Sequence, residues 1–269
     1  MSTHANPGYA IEVRDLVTHY GPRKILDEIN FTAAQGEIMV IMGGSGSGKS
    51  TLLRHLLGLH QPTSGSIKLL GKDITKMSAD EMFDLRKNMG VAFQGGALFN
   101  SMTVGENVEL PLREHTKLDD ATIKIMSRMK LEVVNLAGFE DLMPSELSGG
   151  MIKRAALARA IVMDPKLLFF DEPSAGLDPV ASAELDDLIL TLRDAMNMTI
   201  VVVTHELESA FKIADSITVL DQGRILMSDR TAAVRASDHP RIRALLDRTP
   251  RSDVLDADEY MDRLTREAS

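Results

Sequence analysis

The hydrophobic and polar positions of the chain change their period several times, and each period predicts a different element. Near the N terminus, residues 11–20 (IEVRDLVTHY) and 24–36 (KILDEINFTAAQG) alternate apolar and polar side chains between turn-forming residues. Alternation of this kind is typical of strands with one buried face. The pattern predicts an antiparallel, β-rich unit at this end of the chain.

Three later segments carry nearly continuous apolar runs. They lie at residues 38–42, 167–170 and 199–203, and each precedes a segment in which apolar residues recur with a helical period. The first of these helical patterns extends from Lys49 to Leu59. Continuous apolar strands that alternate with helices are typical of a parallel sheet. The predicted fold class is therefore α/β, with a mostly parallel sheet and an antiparallel β edge.

Helical periodicity dominates the middle of the chain. From about Asn100 to Asp164 the strand signals vanish, which predicts an α-helical subdomain inserted into the α/β core. After Gly223 the pattern predicts a short strand and two short helices. The predicted C-terminal extension is either solvated or in contact with a partner or a second copy of the chain. The predicted organisation is a cassette at 1–250, with core segments at about 8–99 and 165–235, a helical subdomain at about 100–164 and the extension at 251–269.

The composition limits where such a protein can act. Its 269 residues are 44% hydrophobic, and no apolar run approaches the roughly 18 residues of a membrane span. The N terminus lacks the pattern of a secretory signal, and the absence of cysteine fits a cytoplasmic location. A formal net charge of −9 argues against a broad nucleic-acid-binding surface. We expect a cytoplasmic protein that reaches a membrane through a partner and has no nucleic-acid partner.

The clearest candidate chemistry lies between the first buried strand and its helix. Residues 43–50 (GGSGSGKS) match the pattern G-x-x-x-x-G-K-[ST] in the strand, loop and helix context that this pattern requires. Glycines let backbone N–H groups point at phosphate oxygens, and the helix N terminus adds partial positive charge. Lys49 would reach the β- and γ-phosphates of ATP, and the Ser50 hydroxyl would ligate Mg²⁺. A flexible turn is the alternative, and the predicted nucleotide-binding residues are Gly43, Gly44, Ser45, Gly46, Ser47, Gly48, Lys49, Ser50 and Thr51.

Two adjacent carboxylates follow the second apolar run. Asp171 and Glu172 stand at the predicted carboxyl end of a strand, where ligands bind in open α/β sheets. Asp171 would hold Mg²⁺ through water, and Glu172 would polarise the water that attacks the γ-phosphate. A solvated turn is the alternative for an isolated acidic pair. The phosphate loop upstream favours the catalytic interpretation.

A third motif lies between these two and carries a resemblance to a known family. Residues 146–151 (ELSGGM) resemble the signature motif that distinguishes ABC ATPases from other phosphate-loop proteins. Ser148, Gly149 and Gly150 precede an amphipathic helical pattern, so they are predicted to form an anion site at a helix N terminus, with a plain helix cap as the alternative. The resemblance implies a phosphate-loop NTPase core of the RecA-like type. It also implies that this site binds the γ-phosphate of an ATP held by a second copy of the chain.

Four further residues match motifs of the same family. Tyr20 resembles the aromatic residue that stacks on adenine, with an edge-strand tyrosine as the alternative. Gln94 resembles the glutamine that touches Mg²⁺ and the attacking water and links the core to the helical subdomain. Asp178 resembles the aspartate that communicates across the dimer, and His205 resembles the switch histidine that contacts the γ-phosphate. The resemblance thus implies the catalytic set Glu172, His205 and Gln94 and the metal set Ser50, Gln94 and Asp171.

One departure from the commonest pattern points to a branch of the family. Met151 stands where many ABC ATPases have Gln. Together with residues 93–118 it resembles the Mla-type branch of Gram-negative bacteria. The resemblance implies an ATPase at the cytoplasmic face of the inner membrane, which drives phospholipid movement between the inner and outer membranes. Its implied partners are a second copy of itself in a head-to-tail dimer, a membrane permease, an MCE-domain lipid-binding protein and a small STAS-type accessory protein.

Other functions stay open at this point. An ABC importer for a polar solute such as an amino acid would share the fold, motifs and chemistry, and only Met151 and residues 93–118 argue against it. A soluble ABC protein acting on nucleic acid is less favoured, because tandem cassettes, long coiled-coil insertions and basic arms are not visible. A regulatory cassette without catalysis is disfavoured by the presence of Glu172 and His205.

Overall fold

A computed structural model describes residues 8–249, which form two β-sheets and the helices around them. The strands are β1 (Tyr9–Tyr20), β2 (Arg23–Ala34), β3 (Ile38–Met42), β4 (Ser64–Leu69), β5 (Lys72–Asp73), β6 (Met89–Ala92), β7 (Leu167–Asp171), β8 (Thr199–Thr204), β9 (Ser216–Asp221) and β10 (Arg224–Arg230). The helices are α1 (Lys49–Leu56), α2 (Ala79–Arg86), α3 (Val104–His115), α4 (Asp120–Val133), α5 (Gly149–Ile161), α6 (Pro179–Met196), α7 (Leu207–Ile213), α8 (Thr231–Arg235) and α9 (Pro240–Leu246), with a 3-10 helix at Pro144–Glu146. The predicted extension at 251–269 lies outside the described residues.

The smaller sheet is antiparallel, with the strand order β2-β1-β4-β5. Its hairpin of β1 and β2 pairs Leu16 with Ile29, and both side chains are buried. Their neighbours along each strand alternate between buried and more exposed positions. The alternation in the sequence therefore places one face of the hairpin in a core. The prediction of an antiparallel β edge is confirmed.

The larger sheet has the order β10-β9-β3-β8-β7-β6 and is parallel except for β10, which is antiparallel to β9. Every residue of β3 and β8 is buried. Successive residues of β3 pack in different cores, because Val40 belongs to the core shared with the helices and Ile41 to the core shared with the smaller sheet. A strand covered on both faces needs a continuous apolar run. The prediction of a mostly parallel sheet is confirmed.

Three α-helices, α3, α4 and α5, lie between β6 and β7 and pack on one another in the described part of the chain. Each begins at a side-chain cap. Thr103 and Glu106 form a capping box at α3, Asp119 accepts from the N–H of Thr122 at α4, and Ser148 caps α5. Such caps contribute about 1 kcal/mol each to helix stability. The boundaries of a separate helical subdomain stay a prediction.

Helix α1 is shorter than the sequence pattern predicts. It ends at Leu56 rather than at Leu59, because Gly58 takes a φ of 63° and the N–H of Leu59 donates to the carbonyl oxygen of Arg54 at 2.9 Å. A glycine in the left-handed conformation terminates a helix in this way. The predicted end of this helix is wrong.

The last described elements are β10, α8 and α9, which confirm the short strand and two short helices predicted after Gly223. These elements return the chain to the edge of the larger sheet, where β10 pairs with β9. Across residues 8–249, no helix combines the length and apolar character that a membrane span requires.

Candidate functional site

The carboxyl ends of three neighbouring strands, β3, β7 and β8, open into one large cavity. Its volume is about 940 Å³, which is within the range of small-molecule sites. The loops that follow these strands and β6 form most of its wall. The predicted site residues that line the cavity are Gly43, Gly44, Ser45, Gly46, Lys49, Ser50, Gln94, Asp171, Glu172 and His205.

The loop at residues 43–50, hereafter the phosphate loop, is held against the end of β9. A Cβ atom at Gly43 would lie 2.1 Å from the carbonyl oxygen of Leu220, so only glycine fits there. The N–H of Gly223, in the turn after β9, donates to the carbonyl oxygen of Ser47 at 2.9 Å. These contacts with the end of β9 and the turn after it fix the conformation of the phosphate loop.

The inner side of the phosphate loop is open. A Cβ atom at Gly44 or Gly46 would meet no atom within 4 Å. Helix α1 follows Gly48, which provides no side-chain cap for its first N–H groups. Unsatisfied donors at a helix N terminus are the groups that bind a phosphate or another anion.

Lys49 reaches back across the phosphate loop. Its Nζ donates to the carbonyl oxygens of Gly43 at 2.8 Å and Gly44 at 3.2 Å. Burial lowers the pKa of Lys49, and the nearby charges of Glu172 and Asp171 partly oppose that shift. The ammonium is thus partly removed from water. At this partly buried position its attraction for an anion is stronger than it would be on the surface.

Asp171 ends β7 inside the same cavity. Burial raises the pKa of Asp171, and the charge of Glu172 raises it further, while Arg54 and Lys49 act in the opposite direction. A cation beside the carboxylate would favour its charged form and lower the pKa again. The side chain is therefore suited to interact with a cation.

The Glu172 carboxylate is oriented by residues at the end of β8. Its Oε2 accepts from the hydroxyl of Thr204 at 3.2 Å and lies 2.9 Å from Nδ1 of His205. The carboxylate is 13% exposed and the imidazole is 58% exposed. Glu172 has a φ of 50°, a conformation that costs about 1–3 kcal/mol in residues other than glycine. Strain of this kind at a cavity is typical of functional positions.

Gln94 lies on the exposed loop that follows β6. The next residues of this loop are tied to α5, because Arg159 donates to the carbonyl oxygens of Gly96 at 2.9 Å and Ala97 at 2.8 Å. The contact of Arg159 with this loop was not predicted from the sequence. A single basic residue in an apolar helical pattern has no spacing that would reveal a contact with a loop more than sixty residues away.

Helix α9 forms a wall of the cavity that was not predicted from the sequence. Leu245 and Arg248 line this side. Arg241 joins the wall to the end of β9, because its Nε and Nη2 donate to the Asp221 carboxylate at 3.1 and 3.0 Å. This wall results from the packing of segments that are distant in the sequence, so no local sequence pattern predicts it.

Several predicted residues do not line this cavity in the described part of the chain. Tyr20 is 42% exposed, and its ring stands edge-on to that of His60 with centroids 6.1 Å apart. Asp178 caps α6 by accepting from the N–H groups of Val180 and Ala181, each at 3.0 Å. The other residues in this group are Ser47, Gly48, Thr51, Ser148, Gly149 and Gly150.

The signature residues form a second glycine-rich helix N terminus, at the start of α5. Ser148 Oγ accepts from the N–H of Met151 at 3.3 Å. Ser148 and Gly149 are exposed, and a Cβ atom at Gly149 would meet nothing within 4 Å. A Cβ atom at Gly150 would approach only the side chain of Leu177, at 3.9 Å. This terminus has open space around it and is separate from the cavity.

Comparisons with known proteins agree with this architecture. Residues 26–175 match the family model described as ABC transporter. MlaF of Escherichia coli strain K12, an intermembrane phospholipid transport system ATP-binding protein, is 44% identical over 237 residues, which cover 88% of each chain. The probable ribonucleotide transport ATP-binding protein mkl of Mycobacterium leprae is 41% identical over 239 residues, covering 89% of this chain and 69% of its own.

A solved structure gives the same result for the fold. It is described as the dimeric structure of a post-hydrolysis state of the ATP-binding cassette MJ0796 bound to ADP and Pi, and it has a TM-score of 0.76 at 28% identity. The match covers 82% of this chain and 98% of the cassette. The phosphate loop, the signature residues and the acidic pair all fall within the part matched by the family model. The chain therefore belongs to the ABC transporter family of ATPases.

Proposed function

We propose that this chain is the ATP-hydrolysing subunit of a transporter that moves phospholipid between the inner and outer membranes of a Gram-negative bacterium. The observation that carries the proposal is the single cavity in which the phosphate loop, Asp171 and the pair of Glu172 and His205 meet. The 44% identity to MlaF over 88% of each chain supports phospholipid as the substrate.

In this proposal the phosphate loop binds the triphosphate of ATP. The open inner side of the loop and the uncapped start of α1 support this role. Lys49 would exchange its two carbonyl contacts for the β- and γ-phosphates. Tyr20 would stack on adenine, which is supported by an exposed ring at the end of β1.

The donor groups in the cavity fit Mg²⁺ bound together with the nucleotide. Ser50, Gln94 and Asp171 all offer oxygen atoms, and all line the cavity. No group of three or more His, Cys, Asp or Glu side chains that could hold a metal occurs within residues 8–249. This agrees with Mg²⁺, which is commonly bound by one or two carboxylates, waters and substrate phosphates. When bound, Mg²⁺ would offset the phosphate charge.

Glu172 is the group that we assign to the attacking water. Its contacts with Thr204 and His205 reach Oε2, so Oε1 is the oxygen that would accept the proton of the water. His205 would contact the γ-phosphate from the exposed side of the cavity. Gln94, on the loop opposite, would orient the water and the metal.

Two copies of the chain are needed to complete each site in this proposal. Ser148 and Gly149 are exposed, and the signature residues do not line the cavity of their own chain, which supports their contact with the γ-phosphate bound by a second copy. Asp178 would make the communicating contact between the copies. The dimeric state of the related cassette bound to ADP and Pi supports this arrangement. The extension at 251–269 is proposed to contact the second copy or an accessory protein.

A membrane permease would bind beside Gln94. The exposed side chains of Phe93 and Phe99 flank this loop, at 41% and 51% exposure. Large exposed apolar side chains mark sites of protein contact when they cluster. Closure of the dimer would then move the Gln94 loop and the permease together.

The chain would be a peripheral protein at the cytoplasmic face of the inner membrane, held there by the permease. The permease would pair with an MCE-domain lipid-binding protein.

A small STAS-type accessory protein is the remaining proposed partner. Helix α4 presents Ile125, Met129 and Val133 on one face, with exposures of 60%, 59% and 42%. An apolar stripe of this size on an exposed helix supports a further protein contact. Substitution of Met129 by Glu should release the accessory protein and leave the permease bound.

A polar-solute transporter is the second candidate, and the similarity to mkl, described as a probable ribonucleotide transport protein, is the observation that favours it. The test is purification from native membranes, with mass spectrometry of the partner chains and of the bound lipid. The reconstituted complex is then assayed with phospholipid and with ribonucleotides. Stimulation of ATP hydrolysis by phospholipid and co-purification of an MCE-domain protein are expected. Stimulation by ribonucleotides alone would contradict the proposal.

A further inference from the structure

Lys153, on the signature helix α5, binds the turn that follows Glu172. Its Nζ donates to the carbonyl oxygens of Pro173 at 2.5 Å and Ala175 at 2.6 Å, and lies 3.4 Å from that of Glu172. A lysine ammonium has three donors and no acceptor. The three carbonyl oxygens therefore match its whole hydrogen-bonding capacity, and they come from one short turn.

This turn has a conformation that needs support. Glu172 has a φ of 50°, and its carbonyl oxygen also accepts from the N–H of Ala175 at 3.2 Å. The N–H of Leu177 donates to the carbonyl oxygen of Ser174 at 3.0 Å, just before α6 begins. A residue with a side chain persists in the left-handed region only where its surroundings hold it there. The three contacts of Lys153 supply such a hold.

The contact differs from an ordinary surface ion pair. Lys153 and its neighbour Arg154 are both half-buried, but Arg154 forms an ion pair with the exposed Glu184 at 2.7 Å, whereas Lys153 donates to backbone carbonyl oxygens of the turn. Burial lowers the pKa of Lys153, and the charge of Glu172 partly offsets that shift. A partly buried cation is costly unless it is hydrogen-bonded. The carbonyl oxygens of the turn are what make the buried position of Lys153 favourable.

We propose that Lys153 is a positioning residue for ATP hydrolysis, which holds the turn at residues 172–175 on the signature helix and so keeps the Glu172 carboxylate directed at Thr204 and His205. Lys153 acts through Glu172 and does not touch the nucleotide. The proposal rests on the role given above to Glu172. The contact thereby links the helix that carries Ser148 to the turn that carries Glu172.

The first experiment separates binding from turnover. Lys153→Met keeps the length of the side chain and removes the donors, and Lys153→Arg keeps a cation with N–H donors. Arg154→Met is the matched control, because it removes the neighbouring cation without touching the turn. In the reconstituted complex we expect Lys153→Met to lower kcat at least tenfold with KM for ATP within twofold. We expect Lys153→Arg to recover most of the loss and Arg154→Met to keep its kcat within twofold of the parent.

The second experiment tests whether Lys153 acts through Glu172. In single-turnover hydrolysis, adding Lys153→Met to Glu172→Gln should change the rate less than twofold, because the residue being positioned is already lost. If Lys153→Met does not fold, as judged by thermal unfolding, Lys153→Gln replaces it in both experiments. A normal kcat in a folded Lys153 variant, equal losses at Lys153 and Arg154, or multiplicative losses with Glu172→Gln would overturn the inference. Rapid turnover by Glu172→Gln alone would instead contradict the proposed function.

Discussion

Helices α1 and α5 both have glycine at or next to their first residue, yet their N termini lie in different surroundings. Helix α1 follows Gly48, has no side-chain cap and opens into the cavity that contains Asp171 and Glu172. Helix α5 follows Ser148, whose hydroxyl caps it, and its first residues are exposed. Both termini present N–H groups that suit an anion.

A helix N terminus that suits an anion is therefore not by itself a catalytic site. The α1 terminus shares its cavity with the carboxylates of Asp171 and Glu172 on the same chain. The α5 terminus has only its N–H groups and the Ser148 hydroxyl. In the proposed dimer it would contribute to hydrolysis when another copy of the chain brings it a phosphate together with the catalytic groups. Four substitution experiments test this contrast between the two helix N termini.

Glu172→Gln removes the group that distinguishes the α1 terminus and leaves both helix starts intact. Loss of a general base lowers a rate by about 10²–10⁴-fold, so kcat for ATP hydrolysis should fall by that factor while ATP still binds. Steady-state phosphate release and a fluorescent ATP analogue measure the two quantities. Glu208→Gln, at an exposed position of α7, is the control. A kcat within tenfold of the parent would exclude Glu172 as the base.

Lys49→Ala weakens the α1 terminus itself. Hydrogen bonds to a charged group contribute about 1.5–3 kcal/mol, so the Kd for ATP should rise about tenfold to a hundredfold. Ser148→Ala should leave the Kd of the isolated chain within twofold, because the α5 terminus does not line that chain's cavity. Isothermal titration measures both, with Lys117→Ala on the exposed loop before α4 as the control. Equal losses at Lys49 and Ser148 would contradict the separation of the two sites.

A mixture of two inactive variants tests whether the termini meet between copies. Lys49→Ala and Ser148→Arg should each give an inactive homodimer. In their head-to-tail heterodimer one composite site has both lesions and the other has none, so an equal mixture should recover about a quarter of the parent activity. The measurement is ATPase activity of each variant and of the mixture at the same total concentration. No recovery in a mixture shown to contain heterodimers would mean that each chain completes its own site.

Asp171→Asn tests the electrostatics of the α1 side. Burial raises the folded-state pKa of Asp171 above its unfolded value, so stability is favoured when the group is protonated and falls as pH rises through the interval between those two values. At neutral pH, Asn should therefore raise Tm without nucleotide by about 2 °C, a small change for a domain of this size. Differential scanning fluorimetry checks this, with the exposed Asp141→Asn as control. An unchanged or lower Tm would mean that the carboxylate is not destabilising.

The parts of the site that could be predicted are those whose signal is local. The phosphate loop, Asp171 and His205 each stand at the end of an apolar strand, and a parallel sheet brings such ends together. Side chains that bind distant backbone have no such signal. Lys153 and Arg159 look like ordinary polar positions of an amphipathic helix, and only the folded chain shows that each holds a loop.

The fold class was predictable for a similar reason, but the predicted end of α1 was wrong. Strand type followed from whether one or both faces are buried, which is visible as alternating or continuous apolar runs. The end of α1 was placed too late because Leu57 and Leu59 continue the helical period. Gly58 between them was the stop signal, and its φ of 63° shows why it overrides that period.

The tether between the phosphate loop and the turn after β9 has a consequence for how fast and how tightly a nucleotide is captured. Because Gly43 packs on Leu220 and Ser47 is bonded to Gly223, the loop loses its conformational freedom when the sheet forms. The phosphate loop is then already in its binding conformation before the nucleotide arrives, so little binding free energy is lost in ordering the loop. A substitution at Gly223, which does not contact the ligand, should therefore lower both the association rate and the affinity for the nucleotide. The reason is that the phosphate loop would regain conformational freedom in the unbound protein.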